Sequence, residues 1–129
     1  VKKYLLDTHV LLWMLDDNIA LSKTARKILE DSTTQIYLSI VSLWEITIKQ
    51  SLGKLQLEYS LDELINSCYA SNITILPIDY GTLKILKALP FLHRDPFDRI
   101  IIATSMELGL DLISSDEIAK KYTTRIIWE

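Results

Sequence analysis

Short apolar runs alternate along this chain with longer stretches of helical period, and no other feature constrains the fold as much. Tyr4-Leu5-Leu6, Ile36-Tyr37-Leu38, Ile73-Thr74-Ile75-Leu76, Asp111 to Ser114 and Arg125 to Ile127 read as strands. His9 to Leu15 reads as a helix with Thr8 as its N-cap. Ser22 opens a second helix, with Ala25, Ile28 and Leu29 at helical spacing. From Ile40 to Leu52 the apolar positions Val41, Trp44, Ile48 and Leu52 step by three and four, and Gly53 ends the run. Leu61 to Ala70, capped by Ser60, and Tyr80 to Ala88, closed by Pro90, are further helices. Asp95-Pro96 starts a strong helix through Leu108, because Pro at the first position after an Asp cap is a favoured opening. Glu117 to Lys121 supplies a helical turn or two. Strands separated by helices form βαβ units, so the expected fold is a three-layer α/β/α domain around a mainly parallel sheet. No Pro/Gly-rich linker, repeat or low-complexity segment interrupts the pattern, and residues 1–129 read as a single domain.

A chain of 129 residues can bury a core without staples. Its single cysteine, Cys68, allows no internal disulfide and reads as a buried thiol in a helix, which suits a reducing cytoplasm. No apolar run reaches the roughly 18 residues of a membrane span, and no signal peptide is recognisable. The net charge of −3 argues against a uniformly basic nucleic-acid binder. It is compatible with a carboxylate cluster that binds cations.

Four acids fall where such a fold would bring them together. Active sites of open α/β sheets lie beyond the carboxyl ends of the strands. Asp7 directly follows the first strand and Asp116 the fourth. Asp98 sits in the first turn of the helix leading to the fourth strand, and Glu45 lies early in the helix after the second. At about 4 Å and an effective dielectric near 20, each like-charged pair costs roughly 4 kcal/mol. Such a cluster calls for a cation or raised pKa values, and hard divalent ions such as Mg²⁺ or Mn²⁺ suit oxygen ligands. Each acid also has a plain structural reading. Asp98 favours the positive end of its helix, and Asp95 is its cap. Glu45 stands at capping-box spacing from Ser42 and four residues before Lys49, as in a surface ion pair. Asp116 could cap the helical turn that begins at Glu117. Asp7, an acid straight after a buried strand, is the hardest to read as decoration.

The residues around these acids resemble a known family. Leu5-Leu6-Asp7-Thr8-His9 is similar to the opening of PIN domains, and Ser39-Ile40-Val41-Ser42-Leu43-Trp44-Glu45-Ile46 to their second motif. His93-Arg94-Asp95-Pro96-Phe97-Asp98-Arg99 resembles the third motif in one branch of the VapC toxins, and Leu112-Ile113-Ser114-Ser115-Asp116 the fourth. The resemblance runs from Tyr4 to Trp128. It implies a parallel-sheet fold and a metal-dependent endoribonuclease, the toxin of a type II toxin–antitoxin pair. Asp7, Glu45, Asp98 and Asp116 carry over as the acidic, metal-holding set. It further implies Mg²⁺ or Mn²⁺ as cofactor, RNA as substrate, a cognate antitoxin that blocks the site, and a homodimer.

Thr8 and Ser115 are candidates for hydrogen bonds that support the carboxylates. Arg99, Arg94 and His93 are candidates for substrate contact, although His93 also reads as an exposed loop residue and Arg99 as a structural ion pair. Lys49, Lys54 and Arg94 form at most a modest basic rim. His9 reads as packed in the first turn of its helix. The apolar residues Val10, Leu11, Leu12, Trp13, Ile40, Val41, Leu43, Trp44, Ile46 and Ile48 exceed what one sheet face requires, and an exposed partner surface is expected among them. Three other readings compete. A phosphotransferase of the haloacid-dehalogenase type also places Asp after its first strand, but needs a second Asp where this chain has His9. A housekeeping RNA-processing nuclease would share the chemistry. A non-catalytic interaction module would share only the acidic shape.

Overall fold

The structure is a computed structural model and describes residues 1–123 and 125–129. Five strands form one sheet: β1 (Lys3–Leu6), β2 (Gln35–Ser39), β3 (Ile73–Leu76), β4 (Asp111–Ile113) and β5 (Ile126–Ile127). Their order is β3-β2-β1-β4-β5, and every pairing is parallel. The helices are α1 (Thr8–Leu15), α2 (Lys23–Glu30), α3 (Ile40–Ser51), α4 (Leu61–Ala70), α5 (Tyr80–Ala88) and α6 (Pro96–Leu108), with a short 3-10 turn at Ala119–Lys121.

Alternation of side chains along β1 builds the two interfaces of the sandwich. Leu6 and Tyr4 face one way and join Leu38, Ile113, Val10 and Leu11 of α1, Ala25 of α2, and Leu64 and Cys68 of α4. Leu5 faces the other way and packs with Leu112, Ile101 and Ile102 of α6, and Val41 at the start of α3. Both faces of the sheet are therefore covered, which is why the strands read as continuous apolar runs rather than alternating ones. Cys68 is a buried free thiol, as expected. Among the described residues, no helix is long and apolar enough to cross a membrane.

The three-layer expectation holds, and the differences are local. The N-cap of α1 is Asp7, not Thr8: its extended backbone and its Oδ1, which accepts the Thr8 amide at 2.7 Å, start the helix one residue earlier. The cap of α3 is Ser39, so Glu45 owes nothing to a capping box with Ser42. Asp95 caps α6 as expected, accepting the Phe97 and Asp98 amides, and Gly109 closes that helix with a φ of 65°.

The strand order places the functional edge. The chain runs outward from β1 to β2 and β3, then returns to β4 on the other flank of β1. The order thus reverses between β1 and β4, and the crevice beyond their carboxyl ends is where ligands of open parallel sheets bind.

Candidate metal centre

Asp7 leaves β1 at that crevice, and its amide still bonds to the Ile113 carbonyl of β4 at 3.0 Å. Parallel register pairs Leu5 with Leu112 and Leu6 with Ile113, so the next pair along is Asp7 and Ser114. Ser114 Oγ donates to Asp7 Oδ2 at 2.6 Å and accepts the Asp116 amide at 3.0 Å. The supporting hydroxyl is therefore Ser114. Ser115, its neighbour and the expected candidate, is exposed. Burial is the main influence on Asp7 and raises its pKa, against the lowering effect of the Ser114 hydroxyl and the Thr8 amide.

Glu45 is 2% exposed, although an i,i+4 pair with Lys49 suggested a surface position. α3 begins at the carboxyl end of β2, and its first turns run beside the crevice. Lys49 Nζ donates to Glu45 Oε2 at 2.6 Å, and Thr8 Oγ1 lies 2.8 Å from Oε1 and 2.9 Å from Ser42 Oγ. An ionised carboxylate only accepts, so the Thr8 proton goes to Glu45 and Ser42 donates to Thr8. Thr8 thus donates to the Glu45 carboxylate and accepts from Ser42. Lys49 belongs to the site rather than to a solvated rim, and its hydrogen bond to Glu45 raises its pKa, with Asp95 and Asp98 adding to the effect.

Asp98, in the first turn of α6, carries the strain of the cluster. Its pKa is pushed up to about 8, first by burial and then by the charges of Asp7, Asp95, Glu45 and Asp116. Asp98 therefore lies within electrostatic reach of the other three expected acids. Asp95 stays in its capping role but contributes charge.

His93 departs furthest from its sequence reading. It is not an exposed loop residue: its side chain is 12% exposed and sits among the acids. Its Nε2 lies 2.7 Å from Asp116 Oδ2 and 3.2 Å from Asp98 Oδ2. Potential ligand atoms of His93, Asp98 and Asp116 all fall within 4.8 Å of one another. Arg99 points elsewhere. It donates to the Pro90 carbonyl at 3.0 Å and the Tyr122 hydroxyl at 3.1 Å, and stacks over Phe91 at 4.8 Å. It is a structural clamp without a carboxylate partner among the described residues. Arg94 and Lys54 are exposed. His9 is exposed too, beside Trp13 at 5.9 Å between ring centroids.

A PIN domain family model matches residues 4–124. The chain belongs to the PIN domain family. No curated protein matches it in sequence. Among solved structures, the VapBC2 complex of Rickettsia felis bound to a promoter DNA fragment is 15% identical, with a TM-score of 0.71 over 98% of this chain and 97% of that one. DNA-bound VapBC of Salmonella typhimurium is 16% identical, with a TM-score of 0.65 over 100% and 98%. FitAcB of Neisseria gonorrhoeae is 22% identical, with a TM-score of 0.58 over 90% and 89%. At such identities the likeness is one of fold.

The donor set of this PIN domain fits a hard divalent cation. Its acids converge from separate elements, and burial and the neighbouring charges hold Asp98 back from ionising at neutral pH. Asp7, Glu45 and Asp116 each have a hydrogen-bond donor on both carboxylate oxygens, which orients them and leaves further lone pairs free. Sequence reasoning named Lys49 and His93, but Lys49 as a surface ion-pair or rim residue and His93 as a substrate contact or loop residue, not as hydrogen-bond partners of the acids. The i,i+4 spacing flagged the Lys49 pair but not its burial, and nothing in the sequence shows the loop before α6 folding back over the acids.

Of the apolar residues expected to form an exposed patch, Val10, Leu11, Leu12, Val41, Leu43 and Ile46 are core. Ile40 and Trp44 remain exposed, with Trp44 set edge-on to Phe97 at 5.0 Å. Both sheet faces need cover, so most of the supposed excess is ordinary packing.

Proposed function

We propose that this PIN domain is a metal-dependent endoribonuclease and the toxin of a type II toxin–antitoxin pair. The observation that carries the reading is the convergence of acids from separate elements at the switch point of a parallel sheet: Ser114 joins Asp7 to the Asp116 backbone, and His93 Nε2 lies 2.7 Å from Asp116 Oδ2 and 3.2 Å from Asp98 Oδ2. Asp7, Glu45, Asp98 and Asp116 would hold Mg²⁺ or Mn²⁺. A bound divalent ion makes hydroxide available near neutral pH and offsets charge on the phosphate. The chain's own residues prepare that chemistry. Ser114 and Thr8 fix the rotamers of Asp7 and Glu45, and Lys49 supplies positive charge at the wall of the site. With an RNA phosphodiester in the crevice, the acids would orient the attacking water and Lys49 would favour the anionic phosphate.

The partner reading rests on similarity to proteins solved as toxin–antitoxin complexes, together with Ile40 and Trp44 exposed beside an acidic site. We propose a cognate antitoxin whose basic side chain meets the acids, a homodimer of the toxin, and action in the cytoplasm.

Purified chain, free of partner, should cleave RNA with Mg²⁺ or Mn²⁺ and stop in EDTA. Asp7→Asn should abolish cleavage while leaving the protein folded. Undiminished cleavage in EDTA, or near-wild-type turnover by a folded Asp7→Asn variant, would remove the metal mechanism. Co-expression with a small protein encoded directly upstream, where there is one, tests the partner: growth arrest that it fails to relieve counts against that antitoxin reading and leaves the nuclease reading standing.

A further inference from the structure

His93 connects two of the acids, and both of its ring nitrogens are committed. Its Nδ1 lies 3.2 Å from the backbone amide of Asp95. A backbone N–H only donates, so Nδ1 accepts and carries no proton. The neutral ring then has its proton on Nε2, the atom 2.7 Å from Asp116 Oδ2 and 3.2 Å from Asp98 Oδ2. An Nε2 that donates a hydrogen bond cannot give the same electron pair to a cation. The three-residue cluster of His93, Asp98 and Asp116 therefore looks like a ligand triad by distance but not by proton count.

The loop carrying the ring is fixed from behind. Tyr122 Oη accepts the Leu92 amide at 2.8 Å and the His93 amide at 2.7 Å. Arg99 ties the same hydroxyl to the Pro90 carbonyl. The opposite oxygen of Asp116, Oδ1, accepts the Ile118 amide at 2.8 Å. Asp116 is thus held at both oxygens by one donor each, and one of those donors is the imidazole.

We propose that His93 is a positioning residue for the metal centre: its Nε2–H fixes Asp116 and draws Asp98 toward it, without itself becoming a ligand. This rests on the metal-dependent reading above. A ligand role and a positioning role make different demands on the ring. A ligating Nε2 needs the proton on Nδ1, where it would meet the Asp95 N–H. A donating Nε2 keeps the backbone contact intact.

Two measurements on the full chain decide the matter. Histidine-ring ¹⁵N spectra, recorded with and without Mg²⁺, should show Nδ1 unprotonated and Nε2 protonated in both samples. A protonated Nδ1 with an unprotonated Nε2 overturns the proposal. Calorimetric titrations with Mn²⁺ and Mg²⁺ give the second readout. His93→Ala should weaken both ions by a similar factor, about tenfold to a hundredfold, as loss of an orienting hydrogen bond does. His93→Gln, whose amide N–H can reach Asp116 from a similar place, should recover most of that loss. Unchanged affinity in a folded His93→Ala variant sinks the idea, as does a loss confined to Mn²⁺, the ion that prefers nitrogen more than Mg²⁺ does. If the wild-type chain binds neither ion, the metal reading itself fails and takes the positioning role with it. If the wild type binds both, only the role of His93 is at stake.

Discussion

Ser114 Oγ donates to Asp7 Oδ2 at 2.6 Å while accepting the Asp116 amide at 3.0 Å, so one buried hydroxyl ties together acids from two strand ends. Register explains the contact. Leu5 pairs with Leu112 and Leu6 with Ile113, and the two chains leave the sheet side by side. Ser114→Ala removes the donor from a buried carboxylate and the acceptor from an amide. It should cost roughly 1–3 kcal/mol in denaturant melts, the usual penalty for unsatisfied buried groups. RNA cleavage should fall by about tenfold to a hundredfold. Ser115→Ala is the control and should match wild type in both assays. Equal losses in the two variants would mean that the contact with Asp7 is not what matters.

Asp98 makes stability depend on pH in an unusual direction. A carboxyl raised from 3.8 to about 8 holds its proton more tightly folded than unfolded. Between those values folding takes up a proton, so stability falls as pH rises, and the loss is complete above about 8. Asp7, raised by burial, has the same sign. In EDTA, thermal melts of the wild type should decline from pH 5 to pH 8.5. Asp98→Asn should flatten that decline and be the more stable protein at the alkaline end. Saturating Mg²⁺ should reverse the order, because the cation favours the ionised acid. A wild-type melt that stays level over this range in EDTA would show that the acids are not strained.

The acids were legible in the sequence because each sits at a position that topology alone defines. Asp7 ends a strand, Asp116 follows one, and Asp98 and Glu45 lie in the opening turns of helices. Parallel-sheet logic brings such positions to one edge without knowledge of any side-chain contact. What supports the acids depends on register and loop path, which the sequence does not display. Ser114 and Ser115 are the same residue type in adjacent places, and only the pairing of β1 with β4 selects between them. His93 lies in a Pro- and Phe-containing loop that looks exposed in sequence, and the Tyr122 hydroxyl that turns it inward is 29 residues away. Arg99 follows Asp98 directly, which suggested a side chain facing the substrate. Consecutive helical residues point about 100° apart, and Arg99 leaves toward Pro90 instead.

That orientation makes Arg99 a test of the loop rather than of substrate binding. Arg99→Lys keeps a positive charge but cannot bridge the Pro90 carbonyl and Tyr122 while covering Phe91. Turnover should drop as the segment around His93 loosens. RNA affinity, measured in an Asp7→Asn background, should keep its salt dependence. A residue that neutralised a phosphate would reduce the slope of log affinity against log salt by roughly one charge when removed. Since Lys conserves charge, Arg99→Gln completes the series. A fall in slope with Gln but not with Lys would return Arg99 to the substrate side.

Lys49 offers the last and most direct comparison between a protein cation and a metal. Glu45 is almost wholly buried, and its Oε2 has the Lys49 ammonium as partner at 2.6 Å. Lys49 is about one-third exposed, so the pair is screened on one side only. Lys49→Gln can still donate a hydrogen bond but brings no charge, and leaves the buried Glu45 carboxyl without a countercharge among other acids. The expected loss is a few kcal/mol at most, below the roughly 3–5 kcal/mol typical of breaking a fully buried pair. It should be largest in EDTA at pH 7 and above, where the acids most need a countercharge. Adding Mn²⁺ should restore a larger share of stability to Lys49→Gln than it adds to wild type, since the ion supplies positive charge that the variant lacks. A double-variant cycle with Glu45→Gln completes the test. With the carboxylate gone, Lys49→Gln should cost little, and the two losses should be strongly non-additive. Additive losses would show that Lys49 acts through Asp95 or Asp98 rather than through Glu45.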